Sequence, residues 1–136
     1  MNDNRIFVDT NILIYAFTSD EPDKQTKTLR ILDDCQPVVS MQVLREFANV
    51  LLKKGSVSHE RIATILGDIS EIASVINEEF ALILHSIDIH KRYKLSFYDS
   101  LIIAAAEQSQ CQILLSEDMQ DGQVIGGKLR IVNPFR

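Results

Sequence analysis

Five acidic residues stand where a chain of alternating strands and helices would gather them. Asp9 directly follows the short apolar run Ile6-Phe7-Val8, Asp118 comes three residues after Leu115, and Asp121 lies a turn further on. Glu46 falls in the second turn of a helix that Ser40 would cap, and Asp99 in the first turn of one that Ser96 would cap. In open parallel sheets ligands bind beyond the carboxyl ends of the strands, and crossover helices begin at that same edge. Helical side chains lean toward the N-terminus, which carries Glu46 and Asp99 toward it. Carboxylates packed together repel, and some must take up protons unless a cation joins them. Hard oxygen ligands suit Mg²⁺ or Mn²⁺. Such an ion can polarise a phosphodiester, lower the pKa of a bound water and stabilise the leaving oxygen. The spacing therefore points to metal-dependent phosphoryl transfer.

Taken singly, each acid has an ordinary explanation. Asp9 would cap a helix beginning at Asn11, and Asp99 fits the last position of a capping box. Glu46 would be a solvated helix residue, and Asp118 and Asp121 turn residues before Gly122. Their settings argue otherwise. Asp9 lies between three strand residues and Thr10-Asn11-Ile12-Leu13, and Asp99 between Phe97-Tyr98 and Leu101-Ile102-Ile103. Those are poor places for incidental surface charge.

The elements that must position these acids alternate between helix and strand periods, the pattern of an α/β fold. Strands are expected at Arg5–Val8, Pro37–Val39, near Val75-Ile76, at Gln112–Leu115 and at Leu129–Val132, the last stopped by Pro134. Thr18-Ser-Asp-Glu21 looks like a capping box opening a helix through about Asp34, with Pro22 near its first turn. Ser40 opens another that Gly55 ends, and Ser58 a third with the stripe Ile62, Ile65, Leu66, Ile69. Phe80 to Tyr93 has the helical period, as does the stretch from Phe97 to about Gln108.

The chain of 136 residues carries 14 Lys+Arg against 19 Asp+Glu, a formal charge of −5, and its 46% apolar fraction is that of a folded globular protein. One domain over residues 1–136 is expected. No charge-free stretch exceeds ten residues, far below the ~20 that span a bilayer. The opening residues lack an apolar signal core, and two lone cysteines, Cys35 and Cys111, offer no disulfide framework. A cytoplasmic protein without membrane attachment is the expectation. The acidic balance disfavours nucleic-acid binding by a broad cationic surface, but not chemistry at a carboxylate-bound metal. Basic residues cluster only locally, at Lys24, Lys27 and Arg30 and at Lys91, Arg92 and Lys94.

In four blocks the sequence resembles the PIN-domain family, in particular the VapC-like toxins of toxin–antitoxin pairs. The strand and Asp-[Ser/Thr]-Asn-[Ile/Val]-Leu pattern is matched by Phe7-Val8-Asp9-Thr10-Asn11-Ile12-Leu13, and the glutamate helix by Ser40 through Glu46-Phe47. The third block is Tyr98-Asp99-Ser100 through Ala104-Ala105, and the last is Ser116-Glu117-Asp118-Met119-Gln120-Asp121-Gly122. Ser100, where alanine is commoner, is a mild departure.

The resemblance implies a three-layer α/β/α sandwich on a five-stranded parallel sheet ordered 3-2-1-4-5. It implies that Asp9, Glu46, Asp99 and Asp118 are catalytic and hold one or two Mg²⁺ or Mn²⁺ ions, with Asp121 an additional acid binding through water. Thr10, Asn11 and Ser116 resemble groups that orient those carboxylates by hydrogen bonds. The implied activity is endoribonuclease on structured RNA such as transfer or ribosomal RNA. The implied partners are a small antitoxin protein and a second copy of the chain. Two other readings stay open: a PIN-fold interaction module without catalysis, and a housekeeping RNA-processing nuclease.

Other signals carry less. Gly122 to Lys128 imitates a phosphate-binding loop, but Leu129 stands where Ser or Thr is needed and a strand follows instead of a helix. An aspartyl-phosphate mechanism of the dehalogenase type wants Asp-x-Asp, which Asn11 breaks. His59, His85 and His90 lack partners at zinc spacing. Tyr93, Phe97 and Tyr98 could stack bases, though core packing is the expectation.

Overall fold

The computed structural model describes residues 4–136; the first three residues of the N-terminal segment discussed above lie outside that range. Strand β1 (Arg5–Val8) occupies the middle of the sheet, its Phe7 and Val8 wholly buried. It is followed by α1 (Thr10–Phe17) and α2 (Pro22–Asp33), then β2 (Gln36–Ser40), α3 (Met41–Lys54), α4 (His59–Ile72) and β3 (Ser74–Ile76). The chain then returns through α5 (Phe80–Tyr93) and α6 (Phe97–Gln108) to β4 (Ile113–Leu115), and ends on β5 (Val124–Ile125) and β6 (Leu129–Val132).

The sheet order is β3-β2-β1-β4-β6-β5. The first five strands in that order are mutually parallel. Strand connections to β2 and β3 run to one side of β1 and the return to β4 to the other. Right-handed crossovers then put the two sets of helices on opposite faces. In keeping, α1 packs against α2 and α3, α3 against α4, and α5 against α6. The three-layer α/β/α arrangement is as expected, with β6 in the fifth parallel place.

The strand count departs from the expectation. A sixth strand, β5, runs antiparallel to β6, pairing Val124 with Arg130 and Ile125 with Leu129. Gly126 and Gly127 supply the tight turn, with φ of 60° and 76° that a Cβ would disfavour. The glycine-rich stretch is thus a hairpin.

Helix starts follow local chemistry. The Ser40, Ser58 and Ser96 hydroxyls accept from the amides of Val43, Arg61 and Asp99, and Gly55 closes α3 in the left-handed conformation. The capping box expected at Thr18 does not form. Thr18 ends α1, its hydroxyl donating to the Ile14 carbonyl at 2.7 Å, and α2 starts after Glu21 without a side-chain cap. Pro22 at the first position has no N–H to satisfy, which lowers the need for one. One contiguous apolar cluster fills the space between sheet and helices, with Phe47, Leu51, Ile103 and Ile131 fully enclosed. Each such side chain contributes about 1.5–3 kcal/mol by leaving water, which fixes the strand ends that carry the acids.

Candidate active site

At the carboxyl edge of the sheet lies a cleft of about 300 Å³, whose wall includes Asp9, Glu46, Asp99 and Asp118. The acids come from four places: the end of β1, the second turn of α3, the first turn of α6 and the loop after β4. β1 and β4 are direct neighbours, with Val8 paired to Leu115 and the Asp9 amide donating to the Leu115 carbonyl at 3.0 Å. That contact fixes the backbone of Asp9 before its side chain is considered.

Each of the three orienting residues expected from the sequence meets a carboxylate. The Thr10 amide and the Ser116 hydroxyl donate to the two oxygens of Asp9, at 2.8 and 2.9 Å. The Thr10 hydroxyl donates to Glu46 Oε1 at 3.0 Å, and Asn11 Nδ2 to Asp118 Oδ2 at 2.5 Å. Ser116 is wholly buried, so its hydroxyl is a fixed donor. Asp9 is therefore both the N-cap of α1 and a wall of the cleft.

Burial raises the Asp9 carboxyl from its ordinary 3.8 to about 6, the charges of Asp99 and Glu46 adding to that rise while the two hydrogen bonds oppose it. Among the described residues no Lys, Arg or His lines the cleft to offset the charge. As posed, no three acids among the described residues are close enough together to ligate one ion. Glu46 and Asp118 are exposed, so their side chains have room to close on a cation. A hard-oxygen donor set with no competing cation fits Mg²⁺ or Mn²⁺.

Asp121 is not brought to the cleft. Its Oδ1 accepts from the Asn133 amide at 2.8 Å, which ties the loop to the end of β6, and it lines an adjoining recess with Asn133 and Arg136. Asp118 borders both spaces. Tyr98 also differs from expectation: instead of packing in the core it is 65% exposed at the cleft wall. Tyr93, by contrast, is half-buried against the core, its hydroxyl accepting from the Gly126 amide. Of the basic residues flagged in the sequence, Lys24 is engaged by Glu117 at 2.5 Å, while Lys27, Arg30, Lys91, Arg92 and Lys94 are exposed.

Reading the sequence left out Gln42, Asn49 and Val50, which also line the cleft. Buried Gln42 donates to the Tyr98 carbonyl, tying α3 to the start of α6. Helical spacing from Glu46 would have found them, since residues three and four apart share a face.

The PIN domain pattern matches residues 6–120, most of the chain and all four acids. The chain belongs to the PIN-domain family. Solved structures place this PIN domain among similar folds. A toxin–antitoxin complex from Klebsiella pneumoniae is 24% identical with a TM-score of 0.72, over 95% of this chain and 97% of that one. VapC20 of Mycobacterium tuberculosis, described as a sarcin-ricin loop cleaving toxin, is 18% identical with a TM-score of 0.69, over 83% and 89%. VapBC2 from Rickettsia felis, bound to a promoter DNA fragment, is 16% identical with a TM-score of 0.69, over 93% and 96%. At such identities these likenesses show the fold alone. No curated protein matches the sequence. Among the described residues, no helix of the PIN domain is long and apolar enough to cross a membrane.

Proposed function

We propose that this PIN domain is a metal-dependent endoribonuclease that hydrolyses phosphodiester bonds in structured RNA, as the toxin of a toxin–antitoxin pair in the cytoplasm. The observation that carries the reading is that four carboxylates, from four separate elements, line one cleft in which no cationic side chain of the described residues takes part. Asp9, Glu46, Asp99 and Asp118 would hold one or two Mg²⁺ or Mn²⁺ ions, with Asp121 acting from the adjoining recess through water. A bound ion of this kind makes water a better nucleophile and stabilises charge on the leaving oxygen.

The chain's own contribution is orientation. Thr10 and Ser116 hold both oxygens of Asp9, Thr10 also holds Glu46, and Asn11 holds Asp118; Asp9 is the fixed point toward which the exposed Glu46 and Asp118 carboxylates would close on the ion. Exposed Tyr98 at the cleft wall offers a face on which a base can stack. The exposed Lys27/Arg30 and Lys91/Arg92/Lys94 groups supply phosphate contacts outside the acidic cleft.

Partners follow from charge and exposed apolar surface. An antitoxin presenting a basic side chain to the cleft suits both the cation-free wall and the charge of −5. Two of the similar structures are described as complexes of toxin with antitoxin or as VapBC assemblies. The exposed residues Phe80, Ile83, Leu84 and Ile87 share one face of α5, a surface suited to a homodimer.

The test is cleavage of an end-labelled RNA pool by antitoxin-free protein with Mg²⁺, Mn²⁺ or chelator, beside the Asp99→Asn protein. Discrete cuts that need the ion and vanish in the variant are expected. Saturable Mn²⁺ binding without any cut would favour an interaction module instead.

A further inference from the structure

Two consecutive acids after β4 have opposite surroundings. Asp118 lines the cleft as well as the adjoining recess, whereas Glu117 lines the recess alone. Tyr15 donates its hydroxyl to Glu117 Oε1 at 2.5 Å, and Lys24 Nζ binds Glu117 Oε2 at 2.5 Å. Lys24 also donates to the Tyr15 hydroxyl at 3.3 Å and lies over the rings of Tyr15 and Phe135, at 4.7 and 5.1 Å from their centroids. The two rings meet edge-on at 5.3 Å. Residues of α1, α2, the β4 loop and the C-terminal segment thus join at one carboxylate.

The link to the cleft runs through α1. Asn11 and Tyr15 are four apart, so they project from the same face of that helix. Asn11 holds Asp118 and Tyr15 holds Glu117. The dipeptide Glu117-Asp118 is therefore attached to one helix face at two points, and one attachment alone would leave it free to pivot. Ser116, the residue before, is fixed to Asp9. Lys24 compensates the Glu117 charge where Tyr15 also holds it.

Resting on the metal-nuclease reading above, we propose that Glu117, clamped by Tyr15 and Lys24, is a positioning residue that sets the Asp118 carboxylate for the divalent ion. Groups that hold a metal ligand in place weaken ion binding roughly tenfold or more when removed.

The experiment is Mn²⁺ binding to the full chain, followed by the electron paramagnetic resonance signal of the free ion, for wild type, Tyr15→Phe, Lys24→Met, Lys24→Arg and Asp118→Asn. Circular dichroism melting is run on each to confirm a folded protein. The proposal expects Tyr15→Phe and Lys24→Met to bind Mn²⁺ roughly tenfold more weakly at near-wild-type melting temperature, with Lys24→Arg restoring most of the affinity. Wild-type affinity in Tyr15→Phe and Lys24→Met, with Asp118→Asn weakened, would overturn the clamp while leaving the metal site standing. No Mn²⁺ binding by wild type would overturn both.

Discussion

The two ends of the parallel sheet each carry a hollow of similar size, about 300 Å³ at the carboxyl edge and about 320 Å³ at the other. The second is lined by Glu107, Gln110, Cys111, Gln112, Lys128 and Leu129. There the carboxylate has company: His85 Nε2 lies 2.9 Å from Glu107, and Lys128 shares the wall. At the carboxyl edge four acids line a common space with no cationic side chain among the described residues, each of three held by a specific donor. Volume does not separate the two hollows. Uncompensated charge held in place by hydrogen bonds does.

Substitution at each end should separate them most sharply in rate. Asp99→Asn should lower RNA cleavage by about a hundredfold or more, while Glu107→Gln should leave initial rates on the same end-labelled RNA unchanged. Equal losses in both proteins would erase the distinction drawn here.

A second contrast lies in the pH dependence of stability. Asp9 is raised to about 6 when folded against an ordinary 3.8, so the folded chain favours its protonated form. Its penalty is therefore fully developed above about pH 6 and gone below about 3.8. In chelator, the wild-type contribution from Asp9 should grow more favourable as pH falls from 8 to about 4. Asp9→Asn removes that slope and should stabilise the metal-free protein at pH 8 by on the order of 3 kcal/mol. Asn caps a helix about as well as Asp, so the start of α1 should survive. Urea unfolding of both proteins across that range reads the effect.

Ser116→Ala is a smaller perturbation of the same end. It strips Asp9 Oδ2 of its donor and the Met119 amide of its acceptor, at a cost of about 1–2 kcal/mol. Because the Ser116 hydrogen bond holds the Asp9 pKa down, its loss should move the Asp9 titration upward, measurable by carbon-detected NMR. The smallest effect belongs to the opposite hollow. The partly exposed His85–Glu107 contact should change stability by less than about 1 kcal/mol in Glu107→Gln, as chemical denaturation would report.

Much of the acidic end was legible because strand ends and helix first turns fix where a Cα sits. Asp9 after Val8, Asp99 after Ser96 and Glu46 after Ser40 need only the element boundaries to be right, and serine caps mark the last two while Asp9 is itself the cap of α1. The orienting roles of Thr10, Asn11 and Ser116 came from family resemblance; the structure gives each of them a hydrogen bond to one of the acids, which spacing alone does not reveal. Asp121 was less readable. It lines the adjoining recess and not the cleft, and its bond to the Asn133 amide depends on a loop path that spacing does not encode. Thr18 offered a capping pattern that lost to a competing bond with the Ile14 carbonyl. Tyr98 looked like core because its neighbours are apolar, yet helix rotation turns it outward while burying Leu101 and Ile102.

The hairpin at the far side of the sheet has a bearing on how this chain behaves at high concentration. Without it, β6 would end the sheet as an apolar row of open backbone donors and acceptors, a template onto which another extended segment could grow. The folded-back stretch occupies that row: β5 pairs with Leu129 and Arg130, and the Gly122 amide and Gln123 carbonyl satisfy Ile131. What remains outward is a strand of two residues closed by two glycines, too short to recruit a neighbour. The opposite border, β3, is only three residues long. A protein with a strongly parallel sheet thus leaves almost no free edge from which fibrils could be seeded.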